Sequence, residues 1–366
     1  MSVSSWSSAA ALLASILMLA PAAASAQEPP RTFQVAAIKG KSALSDEERR
    51  QLNGWIAQRA AQMSAADPRD EATLHQAQQA AREVRDALNG AAAGFREAFV
   101  AAYTDVVRER HRAASVAGAA QLMALLAVLD DIMTAPVLRD ALRDERTGVR
   151  AAAALGLRTL RPRLAAAGGD AFAQTVSALR EAGRRETSGS TLKTIYEALD
   201  YAEVAAADPR AAAAALLEVL EARARLYDGA ALNAEGAELA GLRAADRVRR
   251  SLGDEDRRRY TLVLARLLRH GALRYHAELH LVRDRTSSPT QIELRNTTEL
   301  MVQEIERQLA ELLPADNKPR PSIFDAMRTM SKESDRINLK LRMNDWAELL
   351  QKATGQSFHI TVDGSG

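Results

Sequence analysis

The chain has 366 residues, with 49 basic and 47 acidic side chains and a formal net charge of +2, so no overall field attracts nucleic acid or an anionic membrane. It contains no cysteine, which excludes disulfides, thiolate zinc sites and cysteine nucleophiles. Aromatic residues make up only 4% of the chain, so the core must be spread over many pairs of helices with small side chains.

The N-terminus has the pattern of an export signal. Residues 9–20 are apolar, and Pro21 is followed by Ala24-Ser25-Ala26, a small-x-small cleavage site. We therefore predict a signal peptide over residues 1–26, cleavage between Ala26 and Gln27, and a periplasmic or secreted protein. No basic residue precedes the apolar stretch, which leaves an uncleaved anchor as the alternative. The stretch is short for a hydrocarbon core of about 30 Å, so we expect no stable membrane insertion after cleavage.

The first half of the mature chain carries clear helix signals. Residues 27–44 form an N-terminal extension, in which residues 33–38 alternate weakly as a short strand. Ser45 and Glu48 have the spacing of a capping box and predict a helix start. Asp67-Pro68 predicts the next start, because aspartate accepts free N–H groups and proline loses only an unpaired donor. Asn89-Gly90 predicts the end of that helix, and the leucines of 122–129 predict a buried helix.

The second half is predicted to be helical up to a proline-rich linker at residues 314–321. The linker divides a repeat-like helical domain, residues 45–313, from a C-terminal appendage, residues 322–366. A final helix in the appendage is striped by Leu339, Met343, Trp346 and Leu350, and residues 358–362 alternate as a strand that we expect to pair with residues 33–38. The helices predicted between Gly168-Gly169 and the linker cover 172–182, 192–204, a segment starting at Pro209, 232–252, 254–270, 273–283 and 292–313.

Residues 135–164 predict two short apolar helices joined by a polar turn, with Asp144 six positions before Arg150. Such a hairpin cannot bury its apolar face alone, so it predicts stacked neighbours. The stretch resembles a HEAT repeat, and the resemblance is carried by Pro136, Leu138, Leu142, Asp144, Val149, Arg150, Ala153, Ala154, Leu155 and Leu160. It implies that Asp144 and Arg150 form a ladder pair tying the turn to adjacent repeats. A carboxylate can accept turn N–H groups while it pairs with a guanidinium.

The flanking hairpins do not repeat this pattern. Residues 196–209, with Tyr-x-x-Ala-Leu before Asp-Pro, instead resemble the end of a tetratricopeptide unit. Both resemblances imply an α-solenoid. The expected fold is therefore all-α: an irregular HEAT-like α–α superhelix with short terminal β-strands.

Two histidines form the one arrangement with catalytic potential. His276 and His280 lie four positions apart on one helix face and could share a metal ion. Metalloproteases have glutamate directly after the first histidine, where this chain has Ala277, and no third ligand is evident. We therefore expect a solvated histidine pair, with no bound metal and no cofactor.

Arginines are densest between residues 247 and 259, where acidic residues interleave with them. Tyr260 is the one aromatic residue nearby that could stack on a base. Ion pairs on solvated helix faces are therefore expected there, not a nucleic-acid site. The residues concerned are Arg247, Arg249, Arg250, Arg257, Arg258 and Arg259, with Asp246, Asp254, Glu255 and Asp256.

The sequence holds no phosphate-binding loop and no nucleophile elbow. The function predicted is an exported, non-catalytic α-helical scaffold that mediates protein–protein interaction, with the surface near Arg150 and Arg158 as the first region to test. One alternative is a metal-dependent hydrolase using His276 and His280. Another is a structural envelope protein whose C-terminal helix and strand dock onto a partner.

Overall fold

The structure is a computed structural model that describes residues 33–204, 208–227, 235–277, 288–313, 322–330 and 335–358. These residues form fifteen α-helices and three short 3-10 helices, and no strand. The all-α prediction is confirmed. The predicted leader with its Ala26–Gln27 cleavage site and the linker at 314–321 lie outside the described residues. The chain divides into two compact units between Arg163 and Leu164.

Unit 1 is built from helices that pack on near neighbours in the chain. Helix α1 packs against α2, α3 and α4, while α4 and α5 both pack against α6. Packing of this local kind is typical of stacked helix pairs. The helices are α1 (Asp46–Ser64), α2 (Glu71–Leu88), α3 (Ala93–Arg110), α4 (Val116–Leu129), α5 (Ala135–Ala141), α6 (Thr147–Thr159) and α7 (Arg161–Ala167), which contains the division between the units.

Side-chain caps set the helix starts in unit 1. The predicted box at Ser45 is confirmed, since its hydroxyl accepts the Glu48 N–H and the Glu48 carboxylate accepts the Ser45 N–H. The predicted start at Asp67 is wrong. Asp67 accepts the N–H of Arg69 at 2.9 Å within a turn, and Asp70 caps α2 three residues later. Both aspartates satisfy free donors, and a single sequence does not rank them.

The strand predicted at residues 33–38 is also wrong. Val35–Ala37 forms a 3-10 helix, in which the Val35 carbonyl accepts the N–H groups of Ile38 and Lys39. Ile38 is buried, and the Lys39 ammonium donates to the Asn89 carbonyl at 2.6 Å, beyond the last residue of α2. The described residues offer no strand edge to this short segment, so its backbone groups bond locally. Residues 359–362, the rest of its predicted partner, lie outside the described residues.

Unit 2 shows the same local packing. Helix α8 packs on α10, α9 on α11, α10 on α12, and α13 on both α11 and α12. The predicted breaks at Gly168-Gly169 and at Gly355 are confirmed, and all three glycines have positive φ. The helices are α8 (Gly169–Arg185), α9 (Gly189–Leu199), α10 (Pro209–Tyr227), α11 (Glu235–Val248), α12 (Asp254–Ala277), α13 (Pro289–Leu312), α14 (Ile323–Thr329) and α15 (Asp335–Thr354).

The two helices predicted at 254–270 and 273–283 are one helix as far as Ala277, so the predicted break is wrong. Gly271 lies inside α12, where a Cβ atom would come within 3.0 Å of Val302 and 3.1 Å of Met301 in α13. This glycine therefore allows two helices to approach closely and does not interrupt the chain.

Within unit 2, Glu306 of α13 forms hydrogen bonds to both C-terminal helices, α14 and α15. Its carboxylate accepts the backbone N–H groups of Ile323 (2.6 Å) and Phe324 (3.1 Å) at the start of α14. It also accepts the Ser322 hydroxyl at 2.6 Å and the Trp346 indole N–H at 2.9 Å. The predicted stripe of α15 is confirmed, since Leu339, Met343, Trp346 and Leu350 are all buried.

None of the helices that the structure describes is both long and apolar enough to cross a bilayer.

Candidate functional site

The polar turn between α5 and α6 is organised by Asp144 and Arg146. One carboxylate oxygen of Asp144 accepts the Arg146 backbone N–H at 2.9 Å and its Nε at 2.8 Å, and the other oxygen accepts Nη2 at 2.7 Å. The Asp144 side chain is only 10% exposed. The pair is therefore a bidentate, charge-assisted contact that fixes the turn.

The same guanidinium reaches the turn between α3 and α4. Arg146 Nη1 donates to the Ala114 carbonyl at 2.6 Å, and Nη2 donates to the His111 carbonyl at 2.9 Å. Arg146 therefore ties the α5–α6 turn to the α3–α4 turn, a role that the sequence prediction did not give it. The sequence does contain one signal for Arg146. It lies two positions after Asp144, and an aspartate side chain commonly accepts the backbone N–H of the residue two positions on.

Arg150 closes the turn from the first part of α6. Its Nη1 donates to the carbonyls of Asp144 (3.0 Å) and Glu145 (2.9 Å), and its Nη2 donates to the Thr147 hydroxyl at 3.2 Å. The structure thus brings Asp144 and Arg150 together through the Asp144 backbone. Arg158, the other arginine of the predicted surface, is half-buried two turns further along α6.

Removing the Asp144 charge should weaken unit 1. We expect Asp144→Asn to cost about 2 kcal/mol at neutral pH, because hydrogen bonds to an ionised group are lost. The Arg146 hydrogen bond lowers the pKa of the Asp144 carboxyl, so its contribution is complete above the unfolded pKa of about 4 and is lost as the pH falls through the folded pKa. Urea unfolding at several pH values measures both effects.

The matched control for this variant is Asp105→Asn. Asp105 pairs with Arg108 three positions on, and both side chains are more than half exposed, so a change below about 0.5 kcal/mol is expected. Equal losses in the two variants, or an unchanged acid dependence in Asp144→Asn, would contradict the assigned role of the turn.

The histidine pair can be placed only in part. His276 is half-buried in the last turn of α12, while His280 lies outside the described residues. Among the positions that the structure describes, no three histidine or carboxylate side chains are grouped so as to hold a metal ion.

The arginine-rich stretch forms the predicted ion pairs within unit 2. Arg247 pairs with Asp200, and Arg249 pairs with both Asp246 and Glu311. Further along, Arg257 pairs with Asp254 at 3.0 Å, and Arg259 contacts Asp256 at 2.8 Å and Glu221 at 2.7 Å. Arg247, Arg249 and Arg259 thereby link different helices, while Arg257 pairs within α12.

A different group of arginines in unit 1 converges on an open groove of about 340 Å³. The groove lies where the end of α2, the start of α3 and the end of α4 come together. Three arginines and one carboxylate share its lining, so the lining is positively charged. The lining residues are Arg82, Arg85, Asp86, Leu88, Asn89, Arg96 and Val128.

Two of these guanidinium groups are anchored by backbone carbonyls. Arg96 Nη2 donates to the Leu129 carbonyl at 2.9 Å, and Arg85 Nε donates to the Ala81 carbonyl at 3.3 Å. Arg82 is exposed. Since a guanidinium has five N–H donors, most of the donors of Arg85 and Arg96 stay available to a ligand. The sequence prediction missed this site, because its residues are separated by up to 46 positions and no motif joins them.

Comparison with known proteins does not assign the site. No protein-family model matches the chain, and no curated protein matches it.

Proposed function

We propose that the protein is an exported, non-catalytic α-helical scaffold that binds other proteins. The observation that carries this proposal is the turn-to-turn link in unit 1, where Arg146 joins the α5–α6 hairpin to the α3–α4 hairpin. Stacked helix pairs joined in this way give proteins of the HEAT type extended binding faces. The A-x-A leader ending at Ala26 supports export.

The groove of unit 1 supports the same function. It is an open surface feature with charged and apolar lining residues, as in the contact surfaces of non-obligate complexes. Arginine is also among the residue types that contribute most to binding energy in protein interfaces.

Fractionation and co-purification of the full chain test the proposal. With an affinity tag at the C-terminus and native expression level, we expect the protein in the periplasmic or secreted fraction, starting at Gln27, with a partner protein in fixed proportion. Mass spectrometry of the purified material determines the N-terminal residue of the mature chain and identifies the co-purified protein.

A chain lacking residues 1–26 is the control, and it should stay in the cytoplasm without the partner. Recovery of the full chain in the cytoplasm with its leader intact would contradict export. Recovery outside the cytoplasm without any co-purifying protein would contradict the scaffold function.

A further inference from the structure

The groove of unit 1 combines fixed cationic donors with an apolar edge. Arg82 and Arg85 lie three positions apart on one face of α2, and Arg96 faces the same groove from α3. Val128 of α4 lines the groove and is 49% exposed, so it offers an apolar surface beside the arginines.

The cations of the groove are not neutralised by neighbouring carboxylates. Arg82, Arg85 and Arg96 form no ion pair within the described residues, whereas Arg59, Arg108 and other arginines of the same unit do. Asp86 is the one carboxylate among the lining residues, against three arginines. The groove therefore presents an excess of two positive charges, which an anionic ligand would balance.

The donors are already positioned for such a ligand. Arg96 is held by the Leu129 carbonyl and Arg85 by the Ala81 carbonyl, so less side-chain entropy is lost when a ligand binds. The Lys39 ammonium donates to the Asn89 carbonyl at 2.6 Å, which satisfies an acceptor at the end of α2.

The lining favours an acidic peptide over a nucleic acid. The groove of about 340 Å³ is at the small end of ligand sites, and none of its lining residues is aromatic, so bases would have nothing to stack on. Carboxylates fit the planar guanidinium fork, and an apolar side chain beside them could contact Val128.

We propose that this groove binds an acidic segment of a partner protein, in which glutamate or aspartate alternates with apolar residues. Carboxylates of the segment accept hydrogen bonds from Arg82, Arg85 and Arg96, and an apolar side chain packs on Val128. This assignment rests on the proposed scaffold function and adds to it the chemical class of the partner.

Fluorescence anisotropy of the mature chain with a labelled peptide of alternating glutamate and leucine tests the proposal. We expect saturable binding that weakens as ionic strength rises, because exposed charges are screened over about 10 Å at 0.1 M salt. The double variant Arg82→Glu/Arg85→Glu should bind at least about tenfold more weakly. The same peptide with glutamine in place of glutamate should not bind.

The matched control is the double variant Arg110→Glu/Arg112→Glu, which reverses two exposed charges elsewhere in unit 1. It should change the affinity by less than about twofold. Circular dichroism checks that each variant is folded. The milder Arg82→Gln, which keeps a polar side chain at this exposed position, should also weaken binding.

Equal weakening in the two double variants would overturn the proposal, as would equal binding of the glutamine peptide. Tighter binding of inorganic polyphosphate or of anionic vesicles than of the acidic peptide would assign the groove to another ligand class. None of these results would affect co-purification of a partner with the full chain, so failure of the groove assignment is distinct from failure of the scaffold function.

Discussion

Replacing Gly118 with alanine is expected to destabilise unit 1 by about 3 kcal/mol. Gly118 lies in α4, and a Cβ atom there would come within 2.5 Å of the Met63 carbonyl oxygen and 2.6 Å of the Ser64 carbonyl oxygen. Both oxygens belong to the backbone at the end of α1, so no side-chain rotation can relieve the contact. The two helices would have to separate.

Separation would also break the hydrogen bonds that join α1 to α4. The Ser115 N–H donates to the Ser64 carbonyl at 3.2 Å, and the Ser115 hydroxyl donates to the Ala66 carbonyl at 2.5 Å. Urea unfolding, followed by pulsed hydrogen exchange of peptides from α1 and α4, measures the free energy of unfolding of unit 1 separately from that of unit 2.

The control is Gly54→Ala in α1, where no atom lies within 4 Å of the new Cβ position. This variant should be neutral or more stable by up to about 1 kcal/mol, because alanine is the better helix former. If Gly118→Ala and Gly54→Ala unfolded at the same urea concentration, the close approach of α1 and α4 would be refuted.

The second large effect is expected at Arg223 in unit 2. Replacing Arg223 with methionine should destabilise this unit by about 3–5 kcal/mol, because it leaves a buried charge without its partner. Arg223 and Glu238 are 2% and 0% exposed and lie 3.0 Å apart, and Arg223 also donates to the Glu186 carbonyl at 2.8 Å. This arginine thus links α10 to α11 and to the end of α8.

A double-mutant cycle separates the pair from simple loss of packing. Glu238→Leu alone should be as harmful as Arg223→Met, while the double variant should recover much of the loss, since an apolar pair avoids the desolvation of two charges. If the double variant lost as much free energy of unfolding as the two single variants together, the two charges would contribute independently to stability. Hydrogen exchange of peptides from α10 and α11 measures the free energies.

Much of the helical fold could be predicted because its signals are local. The capping box at Ser45, the stripe from Leu339 to Leu350 and the glycine stops need only a few neighbouring residues. Two of the errors came where tertiary contacts decide. Gly271 continues a helix because α13 lies against it. Residues 35–37 form a helical turn because the part of the chain that the structure describes offers them no strand edge.

The site was harder to predict than the fold. The spacing of Asp144 and Arg150 located the correct turn, but the contacts to the neighbouring turn come from Arg146, which depends on where the carbonyls of His111 and Ala114 lie. The arginine groove has no sequence signature, because α2, α3 and α4 bring its residues together only on folding.

Photo-cross-linking in living cells tests the scaffold function most directly. A photoreactive amino acid in place of Val128 lies in the groove of unit 1, and one in place of the exposed Val116 lies at the other end of the same helix. We expect the Val128 probe to cross-link one exported protein through a segment rich in glutamate or aspartate, and Arg82→Glu/Arg85→Glu to abolish this product. Absence of any cross-linked protein from both probes would contradict the proposed scaffold function. A product of the Val128 probe that survives the charge reversal would contradict the groove assignment alone.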